Sequence, residues 1–349
     1  MRALRLGSFK SEPTVEEVPE PVAGPGQVVV RIGGAGACHS DLHIMHEFEP
    51  GMLPWALPFT LGHENAGWVH ALGEGVTGLR VGQAVAVYGP WGCGTCARCQ
   101  FGIETLCENV AAAPVAGGGG GLGLDGGMAD LMLVPDARQL VPLPDGLEPV
   151  TAAPLTDAGL TPYHAVRRSW PKLTPTATAV VIGVGGLGHL GVQILRATTG
   201  ARIIAVDTRP EALQLAVESG ADLTVTAGPD AAAEIREATR GLGADVVLDF
   251  VGSAATLPLA AAVVRNMGDL TIVGIGGGTL TTGFFQMPYE VSVQTTYWGS
   301  RPELVEVLEL AARGLLRPKV TTFTLDTALD AYHQMAAGRL EGRAVIVPG

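Results

Sequence analysis

Residues 37–43, Ala-Cys-His-Ser-Asp-Leu-His, bring a thiol, two imidazoles, a hydroxyl and a carboxylate into one short stretch. Such a set can bind a metal, orient its ligands and pass a proton. The chain has five cysteines, and the other four lie together at Cys93, Cys96, Cys99 and Cys107. Their C-x2-C-x2-C-x7-C spacing lets a tight turn present successive thiolates to one ion, and four sulfurs close a tetrahedral shell. The pattern predicts structural zinc with no open position. Two disulfides are disfavoured because the spacings are too short for relaxed bridges, and an iron–sulfur cluster usually places its last ligand differently. Cys38 taken alone reads as a small buried hydrophobe. Its neighbours argue for chemistry.

A second motif is Gly183-Val184-Gly185-Gly186-Leu187-Gly188. In a chain with 49 glycines, GxGxxG alone is a weak signal. Here a strand-like run, AVVIGV, precedes it and a helical pattern follows. Asp207 ends the next strand-like run 19 residues after Gly188. That is the spacing of a dinucleotide site. Gly183 allows the turn, Gly185 lets the backbone approach a pyrophosphate, and Gly188 lets helix and strand pack closely. The helix N-terminus adds free N–H groups for the phosphates.

These residues must be held by two kinds of framework. The first 150 residues read as β-rich, with short runs such as 28–32 and 85–88 bounded by Gly or Pro. The tract 116–127 (AGGGGGLGLDGG) reads as a low-complexity loop, by composition a flexible connector. From about Ala177, strands and helices alternate, with helices expected at 210–218, 231–240 and 256–265, which specifies a parallel sheet. After residue 296 one more helix, about 302–313, and a closing strand, AVIVP, are expected. A length of 349 residues suits two domains. The net charge of −12, with no basic cluster longer than Arg167-Arg168, argues against nucleic acid and anionic membranes. The uncharged stretches 173–195 and 270–289 hold too many glycines and prolines for lipid-spanning helices. The N-terminus has no apolar core of signal-peptide length, so a cytoplasmic protein is expected.

The C-x-S-x-x-H segment, Gly-His-Glu at 62–64, the four-cysteine lobe, the glycine fingerprint and the C-terminal EGRAVIV together resemble the zinc-dependent medium-chain alcohol dehydrogenases over essentially the whole length. The segment PLTDAGLTPYHA at 154–165 is similar to the bacterial secondary-alcohol enzymes. The resemblance implies an α/β fold, a doubly wound Rossmann cofactor domain (154–296) inserted in a β-rich GroES-like catalytic domain (1–153 and 297–349), with the active site in the cleft between them. It implies Cys38, His63 and Asp157 as catalytic zinc ligands, where most of that family has cysteine in place of Asp157. Two zinc ions per chain and NAD are the implied cofactors. Glu64 matches an acid that can approach the metal, and Asp41 a carboxylate that orients the ligand histidine.

Ser40 and His43 match a proton relay, and a histidine, which titrates near pH 6.5, suits its solvent end. Thr161 falls beside the implied nicotinamide, Arg343 and His39 near its phosphates, and Val273 in the same implied cofactor set. Gly186, Leu187, Asp207 and Arg209 complete the cofactor set, with Asp207 favouring NAD. Trp55, Trp91, Tyr297 and Trp298 match segments bordering a substrate cleft and suggest an apolar pocket for alcohols and ketones. His46, His70, His164, His189 and His333 have no comparable company and read as structural. The implied partner is a small molecule, and the chain is expected to form a homodimer or homotetramer. The rivals are a polyol dehydrogenase, which wants a more polar pocket, and a silent NAD- and zinc-binding sensor, which needs no proton relay.

Overall fold

A computed structural model describes residues 1–349. The chain divides into two compact units, one of residues 1–160, 298–313 and 318–349, the other of residues 161–297 and 314–317.

The first unit is built on a seven-stranded sheet. The strand Val28–Ala37 is central, paired antiparallel with Glu64–Leu72 on one side and Arg343–Ile346 on the other. Register matters more here than strand count. Gly36 lies opposite Glu64, and Ala344 opposite Ala37. Cys38, His63 and Arg343 therefore emerge at one end of the sheet. A methyl group on Gly36 would overlap the Glu64 carboxylate, so only glycine allows this pairing. The helix His39–His46 begins at once after Cys38, and Asp41 accepts the Cys38 N–H at 2.9 Å to close a capping box. The 3₁₀ turn Ala153–Thr156 packs against both central strands and delivers Asp157.

The glycine tract corrects its sequence reading as a flexible connector. Residues 118–122, 126 and 127 are buried. Methyl groups on Gly119, Gly121 and Gly126 would overlap the backbone of Gly89 and Gly62. Gly127 N donates to the Gly62 carbonyl at 2.9 Å, and Asn65 Nδ2 donates to the same oxygen at 2.9 Å. Glycine is used here for close backbone packing around the residue before His63.

The second unit is a six-stranded, all-parallel sheet in the order Leu223–Thr226, Arg202–Asp207, Thr178–Ile182, Ala244–Asp249, Val264–Ile272, Ser292–Thr295. Its core includes Val180, Ile182, Ile204, Val206, Val247 and Leu270, the near-continuous apolar runs of strands covered on both faces. Strand order reverses between the first and fourth strands in chain order, where ligands of such sheets sit. The edge strand Ser292–Thr295 was not expected: its side chains are largely exposed and no apolar run marks it. Beyond residue 313 the chain also forms the strand Val320–Phe323 and the helix Ala328–Ala336, both absent from the sequence reading. The helix buries Ala328, Ala331, Tyr332 and Met335 at helical spacing, a signal the sequence did carry. No helix is long and apolar enough to cross a membrane.

Candidate metal and dinucleotide sites

Cys38, His63, Glu64 and Asp157 converge, one donor atom from each lying within 4.8 Å of all the others. His63 Nε2 is 3.6 Å from Asp157 Oδ2. Two ligands at about 2.1 Å from a tetrahedral zinc are about 3.4 Å apart, so the spacing suits that ion. On the other face of the ring, Nδ1 is 3.1 Å from Asp41 Oδ1, close but off the line of a full hydrogen bond. Asp41 Oδ2 accepts from the Cys38 N–H and from the Tyr332 hydroxyl, each at 2.9 Å. Ser40 Oγ lies 3.3 Å from His63 Nε2.

Electrostatics favour a cation. Burial acts to lower the His63 pKa, but the carboxylates of Asp41 and Asp157 outweigh it and push it well above its ordinary value. Burial raises Glu64 to about 7 against the pull of Arg343. A thiol, an imidazole and two carboxylates thus face one another largely out of solvent, a mixed S, N, O donor set that suits a divalent ion.

Arg343, expected at a cofactor phosphate, is buried and ion-paired through Nη2 with Glu64 Oε1. That carboxylate, outweighing burial, holds the guanidinium firmly charged. His43 Nδ1 is 2.8 Å from Glu47 Oε2, one helical turn on. Trp298 is buried in a left-handed conformation, φ 54°. It packs edge-on against His63, ring centroids 5.6 Å apart, and its Nε1 donates to the Thr156 carbonyl at 2.8 Å. Trp91 is buried against the glycine tract, with its Nε1 bonded to the Tyr88 carbonyl at 3.0 Å. Trp55 is half-buried and donates to the Ala116 carbonyl at 3.2 Å. Tyr297 and His39 are exposed. His46, His70, His164, His189 and His333 stay outside the cluster, although His189 Nδ1 rests 2.8 Å from the Gly185 carbonyl oxygen.

In the four-cysteine lobe the sulfurs of Cys96 and Cys99 are 3.4 Å apart and those of Cys93 and Cys99 3.9 Å. The edge of a zinc–thiolate tetrahedron is about 3.8 Å, so these donors also fit the ion. A hydrogen bond from the Thr95 hydroxyl leads the lowering of Cys93 to about 6, whereas burial lifts Cys99 to about 12. The sequence reading missed the anchor of this lobe. Buried Glu104 accepts from Gly92 N at 2.9 Å, Gln139 Nε2 at 2.7 Å and Arg138 Nε at 3.2 Å. A lone acid between two cysteine ligands was the available hint.

In the second unit, Gly183 turns the chain with φ 84° at the end of its strand. A methyl group on Gly188 would overlap the Gly183 carbonyl, whereas one on Gly185 would meet nothing within 4 Å. Gly188 therefore serves packing, and Gly185 keeps a space open beside the turn, as a phosphate cradle requires. Half-buried Gly186 and Leu187 continue the turn. Asp207 Oδ2 accepts from Val184 N at 2.8 Å, and Oδ1 accepts from Arg209 N at 3.0 Å with Arg209 Nε at 3.5 Å. Val273 and Thr161 are buried, the first just past the end of the strand Val264–Ile272.

Residues 24–145 match the alcohol dehydrogenase GroES-like domain, and residues 186–313 the zinc-binding dehydrogenase family. An NAD-dependent alcohol dehydrogenase of Sulfurisphaera tokodaii is 38% identical over 100% of both chains. The crystal structure of the alcohol dehydrogenase from Aeropyrum pernix, also 38% identical, superposes with a TM-score of 0.91 over 100% of both chains. Acetophenone reductase from Geotrichum candidum, solved in complex with NAD, is 31% identical with a TM-score of 0.85, covering 99% of this chain and 96% of that one. The fold, both donor clusters and these full-length likenesses agree: the chain belongs to the zinc-binding alcohol dehydrogenase family, oxidoreductases with a GroES-like and a Rossmann-type domain.

Proposed function

We propose that this protein is an NAD-dependent, zinc-dependent alcohol dehydrogenase that interconverts secondary alcohols and ketones. The observation that carries the reading is the mixed S, N, O cluster of Cys38, His63 and Asp157, backed by Asp41. These three residues would hold one zinc ion and the four cysteines a second, giving two per chain. Asp157 is the better third ligand than Glu64, because its side chain is partly accessible whereas Glu64 is buried against Arg343. Bound in such an open site, zinc supplies Lewis acidity that makes an alcohol a stronger acid, while NAD supplies the hydride acceptor.

The chain's own residues do the remaining work. Asp41, 3.1 Å from Nδ1, would orient the His63 ring toward the metal. Ser40, whose Oγ lies beside His63 Nε2, would accept the alcohol proton while giving up its own hydroxyl proton toward His43. His43, half-buried and steadied by Glu47, releases it to solvent. Gly183, Gly185, Gly186, Leu187 and Gly188 receive the pyrophosphate, Asp207 the adenosine ribose, and Thr161 and Val273 the nicotinamide end. The indole of Trp298, packed on His63, supports an apolar substrate over a polyol.

The unexpected edge strand Ser292–Thr295 and the exposed, mutually packed Phe284, Phe285 and Tyr289 support a homodimer or homotetramer. Five free cysteines suit the reducing cytoplasm.

Metal analysis with an alcohol panel tests the core of the reading. Intact protein should hold two zinc ions. Cys38→Ser should retain about one and lose turnover, while Cys99→Ser should lose stability, because a closed zinc shell contributes folding energy. A single zinc in the intact protein, with Cys38 freely alkylated, would overturn it. Light scattering should give a particle of two or four chains.

A further inference from the structure

Asp41 holds Cys38 and His63 through one carboxylate, and a third group from far along the chain holds Asp41. Tyr332 lies on the helix Ala328–Ala336, which packs on the helix His39–His46. Its ring is buried, and its hydroxyl donates to Asp41 Oδ2 at 2.9 Å. Phenylalanine would fill the same space, so packing does not explain the hydroxyl. Burial and then the Asp41 charge push the phenol pKa well above its ordinary value, so the group remains a donor at any working pH. Met128 Sδ, 3.2 Å from the hydroxyl, is the weaker alternative acceptor and limits its swing. Met128 itself packs on Gly62, the residue before His63. The tyrosine thus closes a loop of contacts whose members include both ligand-bearing segments.

We propose that Tyr332 is a positioning residue for the metal cluster: its hydroxyl locks the Asp41 carboxylate in the orientation that joins Cys38 N–H to His63 Nδ1, and so sets how tightly the cluster binds a divalent ion. This rests on the reading of Cys38, His63 and Asp157 as zinc ligands. With the hydroxyl present, Asp41 has little freedom to rotate away from His63. Without it, Oδ2 keeps only the Cys38 amide, and the ring loses a fixed partner.

The test uses the full-length, zinc-loaded protein carrying Tyr332→Phe. Chelator competition should show a dissociation constant raised about tenfold for the zinc that Cys38→Ser abolishes, and no change for the four-cysteine zinc. Cobalt substituted at the first site should show altered d–d absorption. Ser169→Ala is the control. It removes a comparably buried hydroxyl donor, 2.8 Å from Asp269 Oδ2 in the other unit, and should lower stability with zinc affinity and cobalt spectrum unmoved. Wild-type affinity and spectrum in Tyr332→Phe would overturn the positioning role. Intact protein without a Cys38-dependent zinc would instead overturn the metal reading, and this inference with it.

Discussion

Arg343 and Glu64 form an ion pair shut away from solvent, at the end of the sheet where Cys38 and His63 emerge. Neither residue is tolerable there alone. Removing one partner of a buried pair leaves an uncompensated charge, which costs about 3–5 kcal/mol. Arg343→Ala should lose about that much in urea unfolding, and a Glu64→Gln, Arg343→Met double variant should recover most of it. The pH dependence has a definite sign. Glu64 already sits at about 7 against an ordinary 4.5, and without Arg343 burial drives it higher. A carboxyl that holds its proton in the folded state but not in the unfolded one makes stability fall as pH rises. Arg343→Ala should therefore become less stable from pH 5 to 8, more steeply than wild type. A flat difference across that range would place Glu64 in contact with solvent.

His43 Nδ1 and Glu47 Oε2 lie 2.8 Å apart, one helical turn from each other. His43→Gln should slow alcohol oxidation by about tenfold, most at low pH, with zinc content unchanged. The pH–rate profile is the measurement, and an unaltered profile would remove His43 from the relay.

The two glycines of the fingerprint separate binding from packing. Gly185→Ala should leave the melting temperature as it is and weaken NAD binding roughly tenfold, about 1.4 kcal/mol. Gly188→Ala should lower stability by about 1–3 kcal/mol, because its methyl meets the Gly183 carbonyl. Thermal unfolding and a dinucleotide titration read the two effects independently. Equal losses of stability in both variants would contradict the open cradle at Gly185.

Asp207 ends the strand Arg202–Asp207 and, on the function proposed above, meets the adenosine ribose. A 2′-phosphate beside its carboxylate meets like charge, so NAD should be preferred by at least about a hundredfold in kcat/KM, on the order of 3 kcal/mol. Asp207→Gly should erase most of that preference and leave Arg209 to engage the phosphate. The structure adds a cost to that variant: Val184 N–H loses its acceptor, so stability should fall by about 1–3 kcal/mol. Wild-type protein that uses NADP equally well would show that Arg209, not Asp207, governs the site.

Local sequence determined the groups that do chemistry and the class of framework that holds them. Four cysteines at two- and seven-residue gaps fit a closed shell from sequence alone, because the turn that gathers them is local. The glycine turn between a strand and a helix is equally local, and the alternation after Ala177 specified the parallel sheet before any contact was known. The helix Pro210–Glu218 was legible to its ends because proline opens it. What tertiary structure decided is everything that depends on register and distance. The glycines of 118–127 look flexible as composition, yet they are packed, since the absence of side chains serves close backbone approach as well as freedom. Arg343, which the resemblance places near a cofactor phosphate, is also the partner of Glu64, because Ala344 pairs with Ala37. Tyr332 meets Asp41 across 291 residues, a pairing no short-range pattern encodes, because side chains that distant are neighbours only once two helices pack.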